Sequence, residues 1–110
     1  MKYSILPTQR FKKEFKRLAK KFPSLQSEVS QLGKKISINP ELGTFIGNNC
    51  YKVRLAIASK GKGKSGGARV ITYLYIQTET VYLLTIYDKG EKEDLEQTEL
   101  KEMISILELF

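Results

Sequence analysis

Apolar residues in the first third of the chain recur every three or four positions, which is the spacing of one helix face. The first such run follows Thr8, the predicted N-cap, and ends at Pro23. Ser24 is expected to cap a second helix that runs to about Ile38. Ahead of both, the short apolar run YSIL predicts a strand. The front of the chain is therefore interpreted as a strand followed by a helical hairpin.

Beyond residue 50 the pattern changes to the alternation that is typical of β-strands. The stretch ELGTFIGNN just before it is expected to be a loop, because glycine and asparagine favour loops. Three strands are predicted, in YKVRLAIAS, ARVITYLYIQ and TVYLLTIYD. The last two are apolar on both faces, as central strands are. In the last strand, Thr85 and Tyr87 are expected to share the face opposite Leu84 and Ile86.

The first of these strands has one apolar face and one mixed face. The apolar face, which predicts core, comprises Tyr51, Val53, Leu55 and Ile57. The mixed face carries Lys52 and Arg54 beside two alanines. Because alanine is small, this face has room for a ligand to lie against the sheet.

A third helix is predicted near the end of the chain, with Thr98 as its cap. Its apolar stripe consists of Leu100, Met103, Ile104, Leu107 and Phe110. The predicted order is therefore β-α-α-β-β-β-α, an α+β chain with neither an internal repeat nor a linker, in one domain spanning residues 1–110.

The charge is unevenly distributed along the chain. Residues 1–69 contain 16 basic and 3 acidic side chains, a net charge of +13, whereas residues 70–110 contain 3 basic and 9 acidic ones, a net charge of −6. A basic half predicts a polyanionic partner, with nucleic acid as the first candidate. The alternative is a basic surface that serves solubility alone.

The loop KGKGKSGGAR concentrates this positive charge between two predicted strands. Its glycines favour a flexible connection, from which Lys60, Lys62 and Lys64 are expected to reach phosphates. The alternative is a solvated hairpin tip whose charges protect against aggregation. The GKS within this loop is not a P-loop, because the motif needs a glycine where the chain has Ala58 and a helix where a strand is predicted.

Other chemistries are poorly supported by the composition. The chain has no histidine and one cysteine, which excludes the usual zinc sites and histidine-dependent triads. The acids Asp88, Glu91, Glu93 and Asp94 are candidate Mg²⁺ ligands, but a solvated helix start is the commoner reason for such a cluster. No metal or cofactor is predicted. The lone cysteine and the absence of a long apolar run predict a cytoplasmic protein without membrane contact.

The stretches YKVRLAIASKGKGKSGGARVITYLY and VYLLTIYDKGEKEDLEQTELKEMI resemble the RelE/ParE superfamily of bacterial toxins, and most closely its HigB-type RelE branch. The resemblance covers nearly the whole chain and depends on a GKSGGAR loop entering a strand together with Y-D-K at the end of the last strand. It implies a small twisted, mostly antiparallel sheet with two N-terminal helices on one face and a C-terminal helix. It also implies a ribosome-dependent, metal-independent messenger-RNA endoribonuclease that inhibits translation and is held inactive by a DNA-binding antitoxin of the helix-turn-helix type.

The resemblance also implies roles for individual residues. Arg69 would stabilise the phosphorane, Arg54 would hold a phosphate, Tyr87 would stack on a base or orient the 2′-hydroxyl, and Lys89 would supply acid, base or charge. Lys52, Lys60, Lys62 and Lys64 would bind flanking RNA or the ribosome. The competing interpretations are that Tyr87 only packs in the sheet, that Arg54 pairs with a carboxylate of the C-terminal helix, and that Lys89 is an exposed turn residue.

Two functions of other classes remain alternatives. One is a non-enzymatic inhibitor of DNA gyrase, as ParE-like members are, and the other is an RNA-binding module without catalysis. Some branches of the superfamily carry histidines as acid and base, and this chain has none. The residues that transfer protons are therefore left open.

Overall fold

The computed structural model describes residues 2–61, 63, 66–92, 94–107 and 109, and their elements form one five-stranded sheet with three helices. The elements in chain order are β1 (Ser4–Pro7), α1 (Gln9–Lys21), α2 (Leu25–Ile38), β2 (Thr44–Gly47), β3 (Cys50–Leu55), β4 (Ala68–Tyr75), β5 (Thr80–Asp88) and α3 (Gln97–Ser105). The strand order is β1-β5-β4-β3-β2, and every pair is antiparallel except β1 with β5. The predicted α+β class is confirmed. No helix within the described ranges is long and apolar enough to cross a membrane.

The strand β2 lies where the sequence predicted only a loop. It is four residues long and sits at the sheet edge, and the side chain of Phe45 on it is largely exposed. Asn48 and Asn49 both have positive φ, which is the geometry of a two-residue hairpin turn whose twist matches that of the strands it joins. The asparagine pair was therefore a hairpin signal, and the apolar pattern was too short to reveal the strand.

Both faces of the sheet are covered. The helices α1 and α2 pack on one face and form a core that includes Phe11, Leu18, Leu25, Ile36, Val53, Val70 and Ile86. On the other face, α3 contributes Leu100 and Met103 to a second core, together with Cys50, Ile71, Tyr73, Leu84 and Tyr87. The central strands β4 and β5 are buried on both sides, as their continuous apolar runs predicted.

The helix ends agree only in part with the sequence. The Thr8 hydroxyl accepts a hydrogen bond from the Phe11 backbone N–H at 3.2 Å and caps α1 as predicted. Ser24 occupies the N-cap position of α2, but its hydroxyl bonds the side chains of Glu28 and Ser59 and makes no capping bond.

The prediction that Thr98 caps the third helix is wrong. The helix begins earlier, at Gln97, because Glu96 and Glu99 form a reciprocal capping box. The Glu96 carboxylate accepts from the Glu99 backbone N–H, and the Glu99 carboxylate accepts from the Glu96 backbone N–H. Thr98 consequently lies inside the first turn of α3.

The face assignment predicted for the last strand is also wrong in one respect. The pairing of β4 with β5 shifts between Ile71, which lies opposite Thr85, and Thr72, which lies opposite Leu83, so that Leu84 is an extra residue on β5. Because of this β-bulge, Leu84 belongs to the α3 core and Ile86 to the opposite core. Alternation alone cannot reveal such an insertion.

We predict that Gly67→Ala destabilises the protein by about 2 kcal/mol, as overpacking against a rigid neighbour does. A Cβ at Gly67 would lie 2.1 Å from the backbone oxygen of Leu55, which the pairing of β3 with β4 holds in place. The matched control is Gly33→Ala on α2, where a Cβ meets nothing within 4 Å and helix propensity predicts a gain of about 0.5–1 kcal/mol. Urea denaturation of the three proteins measures both effects, and an unchanged midpoint for Gly67→Ala would contradict the prediction.

Candidate functional site

Three of the predicted site residues form one row across the sheet. Arg54 on β3 lies opposite Arg69 on β4, and Arg69 lies opposite Tyr87 on β5. Residues directly opposite on neighbouring strands share a face, and this face is the one that α3 covers. The sheet therefore brings two guanidinium groups and a phenol, distant in sequence, onto adjacent strands.

The members of this row, which we call the Arg-Arg-Tyr row (Arg54, Arg69 and Tyr87), differ in exposure. Arg54 is exposed, whereas Arg69 and Tyr87 are each only 5% exposed. The Arg69 guanidinium donates from Nη1 to the backbone oxygen of Ala68 at 3.1 Å. No ion pair joins Arg54 to α3 within the described ranges, so the predicted alternative of a carboxylate partner on that helix finds no support there.

The Tyr87 hydroxyl is buried and makes no hydrogen bond to any residue that the structure describes. Burial raises the pKa of Tyr87, the carboxylate of Asp94 raises it further, and the positive charge of Arg69 opposes both. The Lys92 ammonium lies 5.9 Å from the centroid of the Tyr87 ring. The phenol is therefore neutral at physiological pH and has a donor without an acceptor among the described residues.

Two further cations flank the row. Lys52 lies two residues before Arg54 on β3 and on the same face, and its ammonium is 3.6 Å from a carboxylate oxygen of Asp94. Lys89 follows β5 directly, and its backbone N–H donates to the Gly67 oxygen at 3.0 Å. The pKa of Asp94 is lowered by the backbone N–H of Leu95 and then by the charges of Lys52 and Lys89, with burial opposing. The Asp94 carboxylate thus pairs with Lys52 and also interacts with the charge of Lys89.

The prediction that Lys60 extends from its loop toward phosphates is wrong. Lys60 ends a short 3-10 turn, and its ammonium forms an ion pair with the buried carboxylate of Asp88 and lies 5.7 Å from the centroid of the Phe22 ring. Loss of either partner of a buried ion pair leaves an uncompensated charge, so this pairing gives Lys60 a structural role. Lys62 and Lys64 lie outside the described residues.

The acidic cluster near the end of β5 is used to pair with the basic half of the chain. Glu91 accepts from Arg17 at 3.0 Å, and Asp88 and Asp94 pair with lysines as described above. Glu93 lies outside the described residues. Within the described ranges no group of three or more His, Cys, Asp or Glu is arranged to hold a metal ion. The charge split along the sequence, which was interpreted as a sign of a polyanionic partner or of a basic surface for solubility, therefore also supports contacts inside the molecule.

Cys50, the one cysteine of the chain, is fully buried in the α3 core. Burial raises the pKa of its thiol to about 12, so the thiol stays protonated and unreactive at neutral pH.

Comparison with known proteins identifies what this arrangement is similar to. A family model described as the RelE toxin of the RelE/RelB toxin–antitoxin system matches residues 5–108. Among solved structures, a free E. coli RelE toxin carrying two arginine-to-alanine substitutions is similar with a TM-score of 0.65 at 16% identity, over 96% of this chain and 97% of that one. The intact E. coli RelBE toxin–antitoxin complex matches with a TM-score of 0.61 at 17% identity, over 78% and 95% of the two chains. The isolated E. coli RelE toxin matches with a TM-score of 0.60 at 14% identity, over 94% and 98%. At these identities the structural matches establish the fold alone.

We predict that Asp88→Asn costs about 3 kcal/mol at pH 7, because it leaves the Lys60 charge buried without its partner. Burial raises the pKa of Asp88, but the hydrogen bonds from Lys60 and the Gly90 N–H outweigh it, so the pKa in the folded protein lies below the ordinary value of 3.8. Because the pKa is lower in the folded protein than in the unfolded chain, the ionised Asp88 carboxylate stabilises the fold at pH values above 3.8. This stabilisation is lost as the pH falls through the folded pKa. The urea midpoints of the wild type and Asp88→Asn should therefore differ most at neutral pH and approach each other as the pH falls below about 4.

The matched control is the double variant Lys60→Met with Asp88→Asn, which removes both charges. It should be more stable than Asp88→Asn alone, since no unpaired charge remains buried. Equal stability of the two variants would contradict the buried ion pair.

Proposed function

The chain belongs to the RelE toxin family, and from this membership we propose that it is a ribosome-dependent endoribonuclease that cleaves messenger RNA and stops translation. It acts in the cytoplasm, where translating ribosomes expose the messenger. Its proposed reaction uses no metal, because the nucleophile is the substrate's own 2′-hydroxyl. The observation that carries this proposal is the Arg-Arg-Tyr row.

The reaction requires three services from the protein. A group must take the proton of the 2′-hydroxyl, positive charge must stabilise the pentacovalent phosphorane, and a proton must reach the leaving 5′-oxygen. We assign the phosphorane to Arg69 and a neighbouring phosphate oxygen to Arg54, because two guanidinium groups on adjacent strands suit a single anionic centre. Tyr87, neutral and carrying an unbonded hydroxyl, orients the 2′-hydroxyl or supplies the leaving-group proton.

Flanking RNA is held by cations at the rim of the same face. Lys52 and Lys89 lie beside Asp94, and an RNA phosphate that displaces the Asp94 carboxylate gains both cations. The loop lysines Lys62 and Lys64 extend the proposed contact to neighbouring phosphates. Lys89 lies two residues after Tyr87 in sequence and is the candidate for a second proton-transfer or charge-stabilising role.

The proposed chemistry requires the row to become accessible. With Arg69 and Tyr87 each 5% exposed, the segment that covers them must move when RNA binds. We propose that this segment is α3, since Leu100 and Met103 pack in the same core as Tyr87. We propose that binding to the ribosome stabilises an open arrangement of this segment.

We further propose a cognate antitoxin as the protein partner. The similar E. coli toxin is found in an intact toxin–antitoxin complex. An antitoxin silences the proposed activity if it covers the basic face of the sheet or displaces α3. That the antitoxin is a DNA-binding helix-turn-helix protein, and that this chain is of the HigB-type branch, stay predictions from the sequence.

One observation favours a second candidate function. Arg54 is exposed while Arg69 and Tyr87 are buried, so the accessible part of this face is a set of cations without the phenol. Such a surface suits an RNA-binding module in which the two buried residues serve only the fold.

We predict that Arg69→Ala lowers the rate of messenger cleavage on translating ribosomes by about 100-fold or more, the cost of removing one preorganised donor to a transition-state charge. Primer extension on a messenger positioned in the ribosome locates the cuts and gives their rate. The control variant Lys34→Ala removes one exposed charge from α2, which packs on the other face of the sheet, and should leave the rate unchanged. Urea denaturation of each variant separates loss of chemistry from loss of fold.

The outcomes separate the candidate functions. Cuts confined to the decoding site and lost in folded Arg69→Ala support the ribonuclease. RNA binding without cleavage, unaffected by Arg69→Ala beyond the loss of one charge, supports the binding module. Growth arrest with intact messenger RNA contradicts both and points to a non-enzymatic target such as DNA gyrase.

A further inference from the structure

The β-bulge in β5 determines which side chain lies opposite Arg69. If the register that pairs Thr72 with Leu83 continued without an insertion, Ile86 would lie opposite Arg69. The extra residue, Leu84, shifts the pairing by one, so that Tyr87 takes this place. A one-residue change of register exchanges the two faces of a strand. Without the bulge, Tyr87 would therefore face α1 and α2, and no Arg-Arg-Tyr row would exist.

The bulge interrupts the ladder of backbone hydrogen bonds, and α1 supplies replacement partners. One carboxylate oxygen of Glu14, Oε1, accepts from the Thr85 hydroxyl at 2.6 Å and from the Ile86 backbone N–H at 3.3 Å. Backbone groups that lose their ladder partner inside a protein need another partner, and a charged acceptor is a strong one. The carboxylate thus bonds the two residues that separate the inserted Leu84 from Tyr87.

The carboxylate itself is fixed in place from its own helix. Arg10, one turn earlier on α1, donates from Nε to the other oxygen of Glu14, Oε2, at 3.3 Å. Thr8, at the N-cap of α1, donates from its hydroxyl toward the backbone oxygens of Leu83 and Leu84 at 3.1 and 3.2 Å. The first half of α1 therefore contacts the bulge on both sides of the inserted residue.

We propose that Glu14 is a positioning residue that sets the register of β5 and thereby places Tyr87 opposite Arg69. The inference rests on the proposed ribonuclease function for its catalytic consequence, while the placement of Tyr87 is a statement about the fold. Glu14 contacts none of the three residues of the row directly through the bonds described, and it acts through Thr85 and Ile86.

The test compares Glu14→Ala with Glu14→Gln in ribosome-dependent cleavage. Glutamine keeps a side-chain oxygen that accepts from Thr85 and Ile86, so this variant should retain most of the wild-type kcat. Alanine removes the acceptor, and a misplacement of a reacting group by about 1 Å is worth on the order of 100-fold in rate, so kcat should fall by about that factor. The KM should change little, because the phosphate-binding cations are not altered.

A matched control separates positioning from general stability. Glu28 on α2 is also a partly buried carboxylate that accepts one hydroxyl, from Ser24 at 3.1 Å, and one backbone N–H, from Ala58 at 2.7 Å. Glu28→Ala removes the same kinds of bond without touching the bulge, and kcat should be retained at a temperature where the variant stays folded. An equal fall of kcat in both alanine variants overturns the proposal.

A double variant tests whether Glu14 acts through the phenol. If it does, Glu14→Ala should cost little further activity once Tyr87→Phe has removed the hydroxyl, because residues that act as one unit are not additive. Fully additive losses, or a Glu14→Ala enzyme with wild-type kcat, overturn the proposal.

Nuclear magnetic resonance tests the placement without any assay of activity. In Glu14→Ala, the Ile86 amide should exchange faster with solvent and the Tyr87 ring resonances should shift, whereas Glu14→Gln should resemble the wild type. If the wild-type chain cleaves no RNA but these spectral changes occur, the proposed function fails and the placement holds. Unchanged Ile86 exchange and Tyr87 shifts in Glu14→Ala overturn the placement itself.

Discussion

The pairing of β4 with β5 is the contact on which both cores of this protein depend. These strands lie at the centre of the sheet, and each contributes side chains to the core under α1 and α2 and to the core under α3. A strand buried on both faces cannot shift by one residue without exchanging two sets of apolar side chains. The register of this one pair therefore fixes the helices on either side and, with them, the neighbours of every polar group that the sheet carries.

Two polar arrangements are accommodated in this doubly covered sheet, one at the end of β5 and one at the bulge in the pairing of β4 with β5. Lys60 and Asp88 form an ion pair where β5 ends, and Glu14 satisfies the backbone where the bulge breaks the ladder. Both arrangements join a residue from the front part of the chain, residues 1–69, to β5. Part of the positive charge that predicts a nucleic-acid partner is thus already neutralised within the fold, and the exposed cations of the described residues include Lys12, Lys13 and Lys16 on α1 and Arg54 on β3.

Local patterns in the sequence predicted the elements that depend on local forces. The helical spacing and the Thr8 cap predicted α1, and the double-sided apolar runs predicted β4 and β5, because burial imposes those periods directly. The strand β2 was missed because it is short and exposed, so its pairing comes from β3 and from the turn at Asn48 and Asn49. The helix start at Glu96 was misplaced because glutamate caps only when its partner Glu99 reaches back.

The sequence named candidate site residues, but it could not predict how they are arranged. Arg54, Arg69 and Tyr87 were named from a family resemblance, yet whether they share a face depends on an inserted residue in β5, and that insertion is held by a helix about 70 residues away in sequence. The pairing of Lys60 could not be predicted from local sequence either. The sequence around Lys60 indicates a mobile basic loop, whereas its partner Asp88 lies at the end of β5.

Packing in the fold accounts for the ring of Tyr87 but not for its hydroxyl. Its ring packs in the α3 core as a phenylalanine would, and its hydroxyl is buried without a hydrogen-bond partner in the described part of the chain. Burying an unsatisfied hydroxyl costs about 1–3 kcal/mol. The opposing charges of Asp94 and Arg69 act on this same group, which lies beside the guanidinium that suits a phosphate. The proposed ribonuclease chemistry gives this hydroxyl a use that packing does not, because Tyr87 lies in the row that carries Arg54 and Arg69.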